Sequence, residues 1–181
     1  IGVMVYIQNQ PAEVRAVHPL VEIKAMEPDS SKWGINFPNQ YDSFVKTETN
    51  NIDTTYAGSS QFSWLDRDPR QVILFGGYPF SKDYNDDRGH ANALKDVRET
   101  GRLNLDDSNP KHTPATCYSC KSSDNPGLWA ELGMEAYDAM SFNEMTPNIN
   151  NSIGCSNCHE AGTMRLIATN PALIEALERQ G

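Results

Sequence analysis

Apolar residues along this chain come in short clusters rather than in long periodic runs. The first seven residues, Ile1 to Ile7, are mostly apolar and give way to Gln8-Asn9-Gln10-Pro11. Seven residues cannot cross a bilayer, so the run reads as an ordinary buried strand or helix start, or as the tail of an export signal or anchor. Pro11, Pro19, Pro28 and Pro38 then punctuate the chain, and an irregular arm is expected through residue 40. Tyr41 to Thr47 has helical spacing, with Phe44 and Val45 able to face inward. Gln71 to Phe75 is a short apolar run that periodicity assigns to a helix or a buried strand without deciding between them. From Gly89 to Thr100 a helix is expected, with Ala91, Leu94, Lys95 and Arg98 at helical spacing. Asp106 to Thr116 reads as a loop. Gly127 to Met140 reads as one helix through Leu128, Leu132, Ala136 and Met140. Residues 141–151 read as a second loop, and Pro171 to Gln180 as a helix capped by Asn170.

The expected fold class is therefore mainly α and irregular, with short helices and long loops. Eleven prolines and twelve glycines in 181 residues agree with short elements, and only 38 % of residues are hydrophobic. No internal linker divides the chain, so residues 1–181 are expected to form a single domain, an irregular arm over 1–40 followed by the remainder over 41–181. A net charge of −9 argues against a general nucleic-acid binder, which needs a basic footprint. It leaves room for a local basic funnel toward a small anion.

The four cysteines sit at 117, 120, 155 and 158, two Cys-x-x-Cys pairs with none left over. Cys155-Ser156-Asn157-Cys158-His159 has the c-type haem attachment signature. Its two thiols add across the porphyrin vinyl groups, and the adjacent imidazole ligates iron. In Cys117-Tyr118-Ser119-Cys120-Lys121, lysine replaces histidine. There Lys121 is either a solvated surface residue beside a degenerate pair or the proximal iron ligand. An amine ligand must shed its proton to donate, and it leaves the opposite face of the iron open to a substrate. Three rivals stand beside haem: a four-thiolate zinc site, for which the 34 residues between Cys120 and Cys155 are a long gap; a thioredoxin-like redox pair, for which no βαβ context is visible; and structural disulfides, which do not explain His159. Covalent haem is assembled outside the cytoplasm, so the haem reading places the chain in the periplasm.

Cys-x-x-Cys-Lys followed by Cys-x-x-Cys-His resembles the start of the periplasmic pentahaem cytochrome c nitrite reductases, the ammonia-forming enzymes. Flanking stretches are similar too: Asp68-Pro69-Arg70, Gly76-Gly77-Tyr78-Pro79-Phe80-Ser81-Lys82-Asp83-Tyr84-Asn85, Arg88-Gly89-His90-Ala91, Asp96-Val97-Arg98-Glu99-Thr100 and Asn150-Asn151-Ser152-Ile153-Gly154. The resemblance runs from about Trp33 to the C-terminus, and it implies an irregular multihaem c-type cytochrome fold with its haem-binding part over residues 41–181. It implies two covalent haems c, with Cys117, Cys120 and Lys121 holding the catalytic one and Cys155, Cys158 and His159 the second. It also implies that Arg102 is the distal arginine that binds nitrite and that His90 is the distal ligand of a third haem. Nitrite is then the substrate of a six-electron reduction to ammonium. The electron donor would be a membrane-associated quinol-oxidising multihaem cytochrome or another carrier, and the enzyme a homodimer. The family's three further haem motifs, its distal tyrosine and histidine and its calcium site do not occur here, so the chain is expected to be the N-terminal part of such an enzyme. No calcium ligands are identified in it. A dihaem electron-transfer cytochrome without chemistry of its own is the alternative, and a carrier would fill both axial positions where a reductase keeps one open.

Overall fold

A computed structural model of the chain describes residues 19–49, 52–55, 57–58, 60–86, 88–101, 103 and 113–180. Its elements are short helices: α1 (Ser30–Asn36), α2 (Pro38–Thr49), α3 (Trp64–Arg67), α4 (Arg70–Leu74), α5 (Ala93–Glu99), α6 (Asn125–Leu132), α7 (Met134–Ala139), α8 (Phe142–Met145) and α9 (Pro171–Gln180). A ribbon of two residues per strand, β1 (Asp53–Thr54) and β2 (Ala57–Gly58), is the sheet content among the described residues. The mainly helical, loop-rich class expected from the sequence is what the chain adopts. Among the described residues no helix is long and apolar enough to cross a membrane.

Several elements differ from expectation, each for a local reason. The arm expected to be irregular through residue 40 contains α1 and the start of α2. Asp29 caps α1 by accepting from Ser31 N, and Trp33 is buried with its indole N–H donating to Glu27 O at 2.9 Å. Val45 on α2 lies exposed rather than inward, while Phe44 is half-buried. The apolar run after Arg70 forms helix α4, not a buried strand, and leaves Ile73 and Leu74 84 % and 74 % exposed. The helix expected over Gly89 to Thr100 starts as a 3-10 turn (His90–Asn92) and buries Ala93, Leu94, Asp96 and Val97, leaving Lys95 outside.

The single helix expected over 127–140 is two. Gly133 takes φ +77, a left-handed conformation that glycine tolerates and that ends α6 and redirects α7. The break turns Trp129 and Tyr137 into the core, while of the expected stripe Leu128 and Met140 pack against its edge and Leu132 and Ala136 lie exposed. The loop expected over 141–151 contains α8, opened by a capping box in which Ser141 and Glu144 satisfy each other's backbone N–H. Helix α9 forms over the expected residues. Asn170 Oδ1 accepts from Ala172 N and Leu173 N at 2.9 and 3.3 Å, the cap anticipated from sequence.

The main core gathers Leu94, Val97, Ala115, Tyr118, Trp129, Tyr137, Phe142, Met145 and Ile149. Tyr118 stacks on Phe142 with centroids 4.2 Å apart and planes 9° off parallel. The core thus lies directly under the first cysteine pair, because Tyr118, one of the two residues between its cysteines, is a core residue.

Candidate haem-attachment sites

The first pair is presented by a 3-10 turn, Ala115–Tyr118, that enters from an extended Pro114 bridged to Ser141. Ala115 N donates to Met140 O at 2.9 Å and Lys121 N to Tyr118 O at 2.8 Å, so the loop turns back on itself before the lysine. Cys117 is half-buried and Cys120 exposed. Cys117 and Lys121 line one cavity of about 290 Å³ whose other walls include Pro79, Phe80, Val97, Leu103 and Pro114. Cys117 and Lys121 therefore border the same mainly apolar space.

Behind this loop stands a buried polar brace. Asn125 Nδ2 donates to Tyr118 O at 2.6 Å and to Ser122 O at 3.0 Å, and Asn125 Oδ1 accepts from Tyr137 Oη at 2.8 Å. Asn125 and Tyr137 are both fully buried. Burial pushes the Tyr137 phenol up to about 12, because the phenolate would lose its hydration.

The second pair begins at Gly154, where Asn157 Oδ1 accepts from Gly154 N at 2.9 Å, and continues through a 3-10 turn, Cys155–Asn157. His159 N donates to Cys155 O at 2.9 Å. The His159 ring places Nδ1 at 2.8 Å from Met164 O. A carbonyl only accepts, so Nδ1 carries the proton and Nε2 keeps its lone pair for a metal. Met164 holds that carbonyl from a left-handed backbone with φ 57. His159 lines a cavity of about 430 Å³ with Ile23, Met26, Pro126, Ile167 and Ile174 among its walls. Burial raises the Cys155 thiol above its usual range. Cys120 and Cys158, one from each pair, share a third cavity of about 540 Å³ with Trp129, Ile153, Ile167 and Leu173.

These donor sets suit covalently attached haem. Each loop offers two thiols and one nitrogen donor beside apolar space able to shelter a porphyrin face. The rival readings find no matching geometry. No disulfide joins the four cysteines, no βαβ unit for a redox pair occurs among the described residues, and among them no group of three or more His, Cys, Asp or Glu side chains gathers to hold a metal ion, as a four-thiolate zinc site requires.

The remaining sequence-derived candidates are placed unevenly. Arg102 lies outside the described residues, although its neighbour Leu103 lines the Lys121 cavity. His90 is exposed and lines neither the Lys121 nor the His159 cavity. Its segment is anchored by Arg88, whose guanidinium pairs with the fully buried Asp96 carboxylate while Arg88 N donates to it at 3.0 Å. Arg98 is tied to the backbone, its Nη2 donating to Ile149 O at 2.6 Å and to Thr146 O at 3.2 Å. Sequence reasoning passed over Ser122-Ser123-Asp124-Asn125, a polar run following Lys121 that reads as a solvated loop. The available signal was Asn125-Pro126 opening a helix immediately after a haem motif.

The cytochrome c552 family model matches residues 29–181. Similar curated proteins include cytochrome c-552 of Parabacteroides distasonis, 36 % identical over 178 residues, covering 97 % of this chain and 36 % of that protein. Cytochrome c-552 of Bacteroides fragilis is 36 % identical over 164 residues, covering 89 % of this chain and 33 % of that protein. Among solved structures, the catalytic subunit of cytochrome c nitrite reductase from Desulfovibrio desulfuricans, described with two calcium sites, matches with a TM-score of 0.79 at 31 % identity, over 89 % of this chain and 37 % of that one. The chain spans about a third of the length of the curated relatives it matches. The family match extends across both cysteine loops and the elements that support them, and the chain belongs to the cytochrome c552 family.

Proposed function

We propose that this chain carries the catalytic-haem part of a periplasmic, ammonia-forming nitrite reductase. The observation that carries the reading is the pairing of Cys117 and Lys121 on one mainly apolar cavity, in a member of the cytochrome c552 family. Haem iron supplies the redox centre at which nitrite is reduced with six electrons to ammonium. Cys117 and Cys120 fix the catalytic haem by thioethers, and Lys121 Nζ, once deprotonated, offers a lone pair from the proximal side. An amine there leaves the other face for substrate.

Arg102 is the donor for nitrite in this reading. Its guanidinium stays charged at working pH and offers several N–H groups in a planar fork, so it holds an oxyanion and compensates charge that grows on the oxygens. The position of Leu103 on the Lys121 cavity supports this role. The backbone bonds of Arg98 leave it a poor substitute. Cys155, Cys158 and His159 hold a second haem that passes electrons in, with Nδ1 donating to Met164 O and Nε2 turned over to iron. His90, exposed at the start of its turn, supplies the distal ligand of a third haem. The electron donor is a membrane-associated quinol-oxidising multihaem cytochrome or another carrier, and the full enzyme is a homodimer.

An intact mass with two added haems, and haem that stays with the chain through acid-acetone extraction, are the expected results. A mass without haem overturns the reading. In the holoenzyme, Lys121→His is expected to keep both haems, change the electron paramagnetic resonance spectrum of the first, and lower nitrite turnover. A spectrum unchanged by Lys121→His removes lysine from the coordination sphere.

A further inference from the structure

The two cysteine loops, 34 residues apart between Cys120 and Cys155, are stitched directly to each other. Ile153 N donates to Lys121 O at 2.8 Å, and Ser122 and Ser152 form an antiparallel bridge. Asn157 Nδ2 donates to Ser122 O at 2.9 Å. Ser123 Oγ lies 3.0 Å from Ser152 O and 2.6 Å from Pro28 O. The centre of the seam is Asp124. Its Oδ2 accepts from Asn150 N at 2.6 Å, Asn151 N at 2.7 Å and Ser122 Oγ at 3.0 Å, while Oδ1 accepts from Asn151 Nδ2 at 2.9 Å. Asp124 follows Lys121 by three residues, and Asn151 precedes Cys155 by four.

We infer that Asp124 is a positioning residue that fixes the Cys117–Lys121 loop relative to the Cys155–His159 loop, and so sets the rate at which electrons cross between the haems they hold. The inference rests on the proposal that both loops bind haem. Its physical basis is the carboxylate's ability to accept two successive backbone N–H groups and a side-chain amide at once, which no neutral side chain reproduces. Both loops leave the seam within a few residues of their metal-binding side chains. A change in seam geometry therefore moves one loop against the other, and electron-tunnelling rates fall exponentially with separation. The step itself forms and breaks no bond. One electron leaves the ferrous iron at the His159 loop and reduces the ferric iron at the Lys121 loop.

The test uses the haem-loaded protein and compares Asp124→Asn with Asp124→Glu. Asparagine removes the charge and offers one acceptor oxygen. Glutamate keeps the charge but shifts the carboxylate by one methylene. Two readouts are followed: flash-reduction kinetics of transfer from the His159 haem to the Lys121 haem, and hydrogen exchange at the Asn150 and Asn151 amides. Both variants are expected to keep two haems by mass, to exchange faster at both amides, and to transfer electrons at least about threefold more slowly. Glutamate behaving as wild type while asparagine is slowed assigns the effect to charge and overturns the inference. Wild-type transfer rates in both variants overturn it too, as does loss of haem from both. A wild-type protein without haem overturns the proposed function instead, which separates the two failures.

Discussion

The two cysteine loops contain similar motifs but are supported in different ways. The lysine loop grows out of the main core: Ala115 and Tyr118 are fully buried, and the Tyr118 ring stacks on Phe142. Within its own motif each loop buries one residue, the Tyr118 ring in one and the small Ser156 in the other, and the histidine loop is shaped largely by hydrogen bonds, Gly154 N donating to Asn157 Oδ1 and His159 Nδ1 meeting Met164 O. Close-packed side chains resist displacement because any shift opens a void, whereas a hydrogen-bonded turn can adjust by rotating a few dihedrals. The difference suits the proposed roles. A site with an open coordination position requires a fixed ligand, which close packing under the lysine loop provides.

Breaking the core under the lysine loop should have the largest effect. Tyr118→Ala removes the stacked ring and its hydroxyl contact with Thr146 Oγ1 at 2.8 Å, and is expected to cost about 3–5 kcal/mol in denaturant unfolding. It should also release the environment of the first haem before that of the second, read from their separate absorption bands on titration. Equal loss at both loops would erase the contrast.

Alkaline pH should probe the brace next. Burial raises the Tyr137 phenol from 10.0 to about 12, so the folded chain holds this proton more tightly than the unfolded chain does. Its contribution is fully present below pH 10 and is lost as pH rises from 10 through 12, about 2–3 kcal/mol in all. Tyr137→Phe should flatten that part of the stability profile, measured by unfolding at several pH values. It should also leave Asn125 Oδ1 without its donor and lower stability near neutrality.

The smallest effect is expected at the histidine loop. Met164→Gly relieves a left-handed backbone at φ 57 while adding unfolded-state freedom, and the opposing terms should leave stability within about 1 kcal/mol of wild type. The Met164 carbonyl stays in place, so the electron paramagnetic resonance of the second haem should be unchanged. A loss of several kcal/mol would show the histidine loop to be as rigidly packed as its counterpart.

The motifs behind the proposed chemistry were legible from residue order, because covalent haem attachment has its own spacing: two thiols with two residues between them, then a nitrogen donor. Helix α9 and its Asn170 cap were legible for a similar reason, since capping acts between residues two or three apart. The division of 127–140 into two helices was not, because a lone glycine inside a helical pattern is compatible with continuing or ending the helix. At Gly133 the pull of Trp129 and Tyr137 into a common core goes with the break. Nor could sequence separate the exposed apolar run on α4 from a buried strand, since hydrophobicity marks what can be buried and not what finds a partner. The sequence by itself determined the mainly helical class and the two Cys-x-x-Cys motifs, followed by Lys121 in one and His159 in the other. Only the tertiary structure decided that Tyr118 faces the core, that His159 has its Nδ1 on Met164 O, and that Asp124 joins the two loops. The first and last depend on contacts between residues far apart in the chain, such as the 26 positions from Asp124 to Asn150, and the His159 contact, only five residues long, depends on the left-handed backbone at Met164; no local preference encodes them.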